Sequence, residues 1–185
     1  MVEIRGETVA LRALERVHCR ELWTAYEPVE PLPTEPLRPG LSVEGADQWF
    51  EEIQAGQGQD RLHLGIFTLD DGRLVGDIQL SAIDWRNRTA EIGLGIARAA
   101  DRRRGYGRDA LAALVAYAFE FLDLTRLAVV VAEYNMAAVR GLEDGGFVPE
   151  GRDREAVYAG GRRWDRLRYG LLRGEYAARA GNMSK

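Results

Sequence analysis

Apolar residues recur along this chain with two different periods, and the switches between them mark out its elements. Val2, Ile4, Val9 and Leu11 alternate with polar neighbours, which predicts an opening strand over residues 2–14. From Glu15 to Tyr26 the spacing becomes helical, with Leu14, Val17, His18, Leu22 and Trp23 on one face. Five of the six prolines fall in Pro28–Pro39, which excludes regular helix or central strand and predicts an ordered surface loop. Ser42 then offers a cap to a second helix at about 43–55, carrying Trp49, Phe50 and Ile53. Strands are predicted at Leu62–Leu69 and Leu74–Leu80, joined by an Asp-Gly turn at 70–73, and at Thr89–Ile96 after the polar turn 84–88. Arg108–Leu122 reads as a strong helix, with Leu111, Leu114, Val115, Ala118, Phe119 and Leu122 on one side. Leu127–Ala132 suits a buried strand, and Met136–Asp144 a short helix ended by Gly145-Gly146, with Phe147 opening the next strand. Ala156–Tyr158 and Trp164–Leu172 flank a glycine turn as a hairpin, and the basic tail from Glu175 is expected to fray.

This order of elements, without repeats or a low-complexity linker, predicts a single α/β (α+β) domain over residues 1–185. No apolar run approaches the roughly 18 residues of a membrane span, and the N-terminus carries no secretory leader. Cys19 is the one cysteine, which excludes an internal disulfide and fits a reducing, cytoplasmic setting. No metal-ligand spacing is present, and none of the basic density of a nucleic-acid face. The net charge of −4 is unevenly spread: residues 1–90 carry −7 and residues 91–185 carry +3. An acidic first half can favour a cationic co-substrate, although a solvated acidic surface is the commoner explanation.

The basic half contains the most informative stretch. Strand 89–96 passes to the long helix through Arg102-Arg103-Arg104-Gly105-Tyr106-Gly107-Arg108. A strand handing over to a helix through glycines leaves backbone N–H groups unpaired at the positive end of the helix dipole. With arginines alongside, such a turn suits a polyphosphate. It is neither a GxxxxGK[ST] loop nor a full GxGxxG fingerprint.

The turn resembles the Arg/Gln-x-x-Gly-x-Gly/Ala signature of the GNAT superfamily of acetyl-CoA-dependent N-acetyltransferases. Asn135-Met-Ala-Ala138 with Leu142-Glu-Asp-Gly-Gly-Phe147 is similar to a second block of that family. Leu11-Arg-Ala-Leu14 and the closing Trp164-Asp165 and Tyr169–Leu172 segments resemble its ribosomal-protein N-terminal and spermidine acetyltransferase branch. The resemblance implies a mixed, mostly antiparallel sheet with flanking helices. In it two parallel strands, here 90–96 and 127–132, splay into a V for the pantetheine arm. It implies an acceptor-side half at about 1–90 and an acetyl-CoA half at about 91–174, with a homodimer through the final strands as one arrangement the family uses. Gly93 and Gly95 are expected to permit a bulge at the splay.

By the same resemblance Gly95, Ile96 and Ala97 pair with pantetheine through their backbones, one N–H polarising the thioester carbonyl. Arg102, Arg103, Arg104, Gly105, Tyr106, Gly107 and Arg108 hold the pyrophosphate, and Asn135 contacts the arm. The acceptor is an amine on a small molecule or a peptide N-terminus. Since an alkylamine has a pKa near about 10, a base is needed. Glu91, 14 positions before Gly105, matches the family's catalytic glutamate in spacing; the alternative is a surface carboxylate that only orients the amine. Asp77, Asp84, Asp165 and His63 are weaker substitutes, His63 reading first as a structural ring. Relatives often place an acid tyrosine seven residues after the Asn, but Leu142 stands there. Either Tyr134 serves as acid, or the thiolate leaves unaided. Trp23, Tyr26, Trp49, Trp85 and the proline loop are candidates to wall the amine pocket, against a core role for the aromatics. A non-catalytic acyl-CoA-binding module is the rival reading.

Overall fold

The computed structural model describes residues 3–27 and 42–183, with side chains as far as residue 179. The proline loop 28–39 lies outside the described residues. Along the chain come β1 (Ile4–Arg5), β2 (Val9–Ala13), α1 (Arg16–Ala25), α2 (Val43–Gly56), β3 (Leu62–Thr68), β4 (Leu74–Asp84) and β5 (Thr89–Ile96). A 3-10 turn (Ala99–Asp101) leads to α3 (Tyr106–Glu120), then β6 (Arg126–Ala132), α4 (Met136–Asp144), β7 (Val148–Ala159), β8 (Arg162–Leu172) and α5 (Arg173–Met183). The eight strands form one sheet in the order β1-β2-β3-β4-β5-β6-β8-β7, antiparallel except where β5 meets β6.

Two of the sheet's faces are apolar and each takes its own helices. One carries α3, with Ala110, Leu114 and Phe119 against Ile66, Ile78, Leu80, Ile92 and Leu127 in the main core. The other carries α1 and α2, with Cys19, Leu22 and Ile53 against Leu14, Phe67 and Leu74. Among the described residues no helix is long and apolar enough to cross a membrane.

Three expectations need correction. The opening segment is a hairpin, β1 and β2, rather than one strand. Its turn is shaped by Asp109, a hundred residues on, whose carboxylate accepts from the N–H groups of Glu7 (2.9 Å), Thr8 (2.7 Å) and Val9 (3.0 Å) and from the Thr8 hydroxyl (2.8 Å). Helix α3 starts two residues earlier than its apolar stripe suggests, because Gly105 at φ +88° reverses the chain and caps it. The tail does not fray from Glu175 but continues as α5. Glu175 accepts from the Leu172 N–H, Tyr176 lies against Phe119 with ring centroids 5.3 Å apart, and its hydroxyl donates to Glu120 at 2.7 Å.

The parallel pair determines the shape of the centre. Only three rungs join β5 to β6, namely Thr89 with Arg126, Ala90 with Leu127 and Glu91 with Ala128. Beyond them Ile92–Ile96 stay with β4, while Val129–Ala132 stay with β8. The two strands therefore part, and the facing backbone edges of 92–96 and 129–132 are left open in a V.

Candidate active site

The turn that follows β5 at the open end of the V is braced by one ion pair and by one arginine that donates to backbone carbonyls. Asp101, 3% exposed, receives both terminal nitrogens of Arg73, at 2.8 and 2.9 Å. The Arg73 guanidinium holds its carboxyl below the usual range against the opposing cost of burial. Arg102 turns inward, its Nε donating to the Ile96 carbonyl at 3.2 Å and its Nη2 to that of Ala97 at 3.0 Å. Its side chain thus ties the turn to the end of β5, unlike those of Arg103, Arg104 and Arg108, which are exposed. Arg104 lies 3.9 Å from Asp101 and Arg108 lies 3.9 Å from Asp144.

Within this frame Arg103 takes φ +61° and Gly105 φ +88°. The chain coils tightly here, and the first α-helical bond is the one from Asp109 N–H to the Gly105 carbonyl, at 3.0 Å. Among the described residues the backbone N–H groups from Arg103 to Arg108 find no protein acceptor. Six consecutive donors, three exposed guanidinium groups and the positive end of α3 thus lie together on one turn, an arrangement that suits an anion. Gly107 faces the sheet, where a Cβ would meet Leu94 at 3.4 Å and Ile96 at 3.6 Å.

Along the V the strand edges are not equivalent. The Ala97 N–H donates to the Val75 carbonyl at 2.9 Å, and the Ala97 carbonyl takes the Glu27 N–H at 3.0 Å. Because N–H groups alternate sides along a strand, that of Ile96 turns toward the V. The bulge expected at Gly93 and Gly95 is absent: both pair in register with Gln79 and Asp77, and the irregularities lie at Ser81/Asp84 and Ile66/Phe67 instead. The two glycines provide room. A Cβ on Gly93 would press on Gln79 Nε2 at 2.9 Å, and one on Gly95 would run into the Tyr26 hydroxyl.

Glu91 occupies the last paired rung, at the closed end of the V, with an exposed carboxylate. It shares the α1/α2 face with Gly93 and Gly95, four residues or about 13 Å short of the latter. At the opposite wall Tyr134 is 7% exposed and packs edge-on against Trp164 with centroids 5.2 Å apart. Burial pushes its phenol pKa up, so it remains a proton donor at neutral pH. Asn135 caps α4, its Oδ1 accepting from the Ala138 N–H at 3.3 Å. Leu142 is a core residue, 5% exposed.

The minor candidates separate cleanly. Asp165 is used within the β7–β8 hairpin, accepting from Arg152 at 2.7 Å and from the Glu155 N–H at 2.9 Å. Asp84 closes its own turn by accepting from Asn87. Trp85 lies away from the V, donating its indole N–H to the Gln59 carbonyl. By contrast, Tyr26, Trp49, His63 and Asp77 gather on the α1/α2 face beside Gly95. Asp77 accepts from the Tyr26 hydroxyl through one oxygen and meets His63 Nε2 at 2.7 Å through the other. Trp49 packs edge-on to His63 at 5.6 Å and lies 6.0 Å from Trp23. Read singly, His63 and Asp77 gave no sign of this pairing.

Comparison with known proteins agrees with this geometry. The family described as "Acetyltransferase (GNAT) domain" matches residues 9–148. The chain is 39% identical over 108 residues to "Putative ribosomal N-acetyltransferase YdaF" of Bacillus subtilis (strain 168), covering 58% of this chain and 58% of that protein. It is 31% identical over 116 residues to the spermidine N(1)-acetyltransferase of Vibrio cholerae serotype O1, covering 62% of this chain and 66% of that one. In both cases the aligned part is less than two thirds of the relative's length. Among solved structures, the spermidine N-acetyltransferase from Vibrio cholerae in complex with CoA and spermine superposes with a TM-score of 0.80 at 25% identity, covering 93% of this chain and 99% of that one.

Proposed function

This chain belongs to the GNAT acetyltransferase family, and we propose that it moves the acetyl group of acetyl-CoA to a primary amine by direct attack on the thioester. The observation that carries the reading is the joint presence, among the described residues, of six successive unpaired N–H groups at 103–108 and a strand pair that parts after three rungs. One without the other would bind an anion or leave a gap; together they suit a phosphorylated cofactor with a long, hydrogen-bonding arm.

In this reading the pyrophosphate lies on the N–H groups of Arg103–Arg108, with Arg103, Arg104 and Arg108 supplying charge and Arg102 bracing the turn. The pantetheine arm follows the open edge of β5 at Gly95 and Ile96, while Ala97 and Asn135 border it. The Ile96 N–H serves as the donor that stabilises the tetrahedral oxyanion. Glu91 takes the amine's proton through a chain of waters, since the strand rise puts it about 13 Å from Gly95, beyond the reach of a direct contact or a single water. Tyr134 protonates the departing thiolate, a modest task for a group whose parent pKa is about 8.5. The acceptor is a peptide N-terminus or a small polyamine-like amine. The names of relatives that act on spermidine support the second, and that of YdaF the first.

Thiol release measured with acetyl-CoA and a panel containing spermidine and short peptides with free N-termini tests the reading. Turnover with at least one amine is expected. Binding of acetyl-CoA with no thiol release on any of them supports the rival, a non-catalytic acyl-CoA-binding module. Within the enzyme reading, Glu91→Gln lowers the rate about 10²–10³-fold at neutral pH and recovers at higher pH. An unaltered pH–rate profile removes Glu91 from the role of base.

A further inference from the structure

One carboxylate on the α1/α2 face has no part in that scheme and is built unlike the others. Asp77 pairs directly with Gly95 across β4 and β5, so the two Cα atoms lie about 5 Å apart. Its side chain is 15% exposed. Other aspartates of this protein meet guanidinium groups or sets of backbone N–H groups: Asp101 has Arg73, Asp123 has Arg173, Asp153 has Arg166 and Arg168, and Asp109 has a turn. Among the described residues no arginine lies within ion-pair distance of Asp77, whose partners are a phenol and an imidazole.

That imidazole is itself constrained. His63 is 4% exposed, and its Nδ1 is buried without a hydrogen-bond partner among the described residues. A proton placed on Nδ1 would be a buried donor with nothing to accept it, which is costly. The ring therefore meets its surroundings through Nε2, toward Asp77. Cys19, nearby, adds no charge of its own: burial first, and the charge of Asp77 second, push its thiol up to about 11. Asp77 thus lies in a half-enclosed site that, among the described residues, offers it a phenol and an imidazole but no guanidinium. Tyr26 is fixed over the same spot, because the Glu27 N–H donates to the Ala97 carbonyl at 3.0 Å and the Glu27 carboxylate accepts from the Ala99 N–H at 2.9 Å.

We propose that Asp77 seats the ammonium group of the acceptor beside Gly95, with His63 and Tyr26 as positioning residues, so that the acceptor is a cationic aliphatic amine. The inference rests on the acetyltransferase reading and names the specificity element of the same site. A nearly enclosed carboxylate without a cation is expensive to hold in place. It favours a ligand that brings the charge, and disfavours neutral amines, amides and alcohols. Trp49 and Trp23 form the apolar wall alongside.

The test uses the full chain with spermidine and a short Ala-initiated peptide as acceptors. Asp77→Asn is expected to raise KM for the amine about 30–100-fold with kcat changed little and the affinity for coenzyme A unchanged. His63→Phe is expected to raise KM about tenfold and His63→Gln, which keeps a donor in place of Nε2, to recover most of it. Tyr26→Phe, at the exposed end of α1, reports on Asp77 even if Asp77→Asn does not fold, and is expected to raise KM several-fold. Nitrogen NMR of the wild-type ring should show the His63 Nε2 signal shifted by spermidine, because Nε2 faces Asp77. An unchanged amine KM in Asp77→Asn or Tyr26→Phe, or a ring unmoved by either amine, overturns the proposal. Loss of coenzyme A binding by the wild-type protein would instead overturn the reading beneath it.

Discussion

Replacing Asp109 by Asn should weaken the whole protein more than its half-exposed position suggests. The wild-type Oδ1 accepts from Glu7, and Oδ2 accepts from Thr8 N–H, Thr8 hydroxyl and Val9. Burial alone would raise this carboxyl, but the donors of Glu7, Thr8 and Val9 outweigh it and hold it below the ordinary aspartate range. An amide can keep its oxygen toward the Thr8 side, but its NH2 then faces the Glu7 N–H, two donors in opposition. The charge that strengthened the other three bonds is also gone. Hydrogen bonds to a charged group are worth about 1.5–3 kcal/mol each. Solvent at this half-exposed turn discounts that heavily, leaving about 2 kcal/mol for the substitution. For a chain of this size that is a fall of about 4–8 °C in Tm. The pH dependence gives the sharper check. A carboxyl whose pKa is lowered on folding adds stability above its unfolded value, and loses it as pH falls through the folded one. Thermal unfolding followed by circular dichroism should therefore show the full gap between the two proteins at pH 7. The gap should begin to narrow below about pH 4, the unfolded value, and close only as pH falls through the lowered folded value, where the wild-type group protonates as well. A gap that is below about 1 °C at pH 7, or that persists undiminished in acid, refutes the charge-based account.

Two glycines test the site more directly. At Gly105 nothing lies within 4 Å of an added Cβ, so Gly105→Ala costs only the left-handed backbone at φ +88°, about 1 kcal/mol or 2–4 °C in Tm. Since the same residue aims the N–H groups of the cradle, calorimetry should show coenzyme A binding at least tenfold weaker, and unaltered binding would separate the turn from the cofactor. At Gly76 the case is steric: a Cβ would collide with the Gly95 carbonyl oxygen and lie 3.1 Å from Ile96 Cα. Gly76→Ala should force β4 and β5 apart, lower Tm by about 3–10 °C and weaken coenzyme A binding, whereas wild-type behaviour would show that the strand edge can shift without consequence.

What the amino-acid order conveys about this fold is what is local. Helix and strand periods, the Asp-Gly turn and the Gly105 reversal act over a few residues, and most elements they imply form within a residue or two of the expected bounds, although β4 runs on to Asp84 and β7 begins at Val148, well before Ala156. The hairpin at 4–13 and helix α5 escaped because their causes lie far away. The first is shaped by Asp109, and the second is held by Tyr176 against Phe119 and Glu120 and by Arg179 donating to the Asp144 carbonyl. At the site the same division holds. The cradle is a matter of consecutive residues, so its glycines and arginines stand out in the sequence, whereas the inward turn of Arg102 depends on where β5 ends.

The pairing of His63 with Asp77 shows most clearly how a single extra residue can hide a site. Near the Asp-Gly turn β3 and β4 pair with Phe67 opposite Leu74, a register that, continued, would set His63 opposite Ile78. Asp77 would then sit opposite Leu64, on the α3 face of the sheet, among apolar residues such as Ile66 and Leu114. The register instead shifts between Ile66 and Phe67, so that Ile66 pairs with Gly76 and Val75 becomes the additional residue of a bulge. Every side chain beyond it changes face. Asp77 moves to the side of His63, Tyr26 and Gly95, and Ile78 takes its place in the core. Val75 is also the residue whose carbonyl receives the Ala97 N–H, where β5 ends and the cradle begins. One bulge thus turns the carboxylate toward the acceptor side and anchors the strand that faces the cofactor, which ties the two halves of the site to one local irregularity of β4.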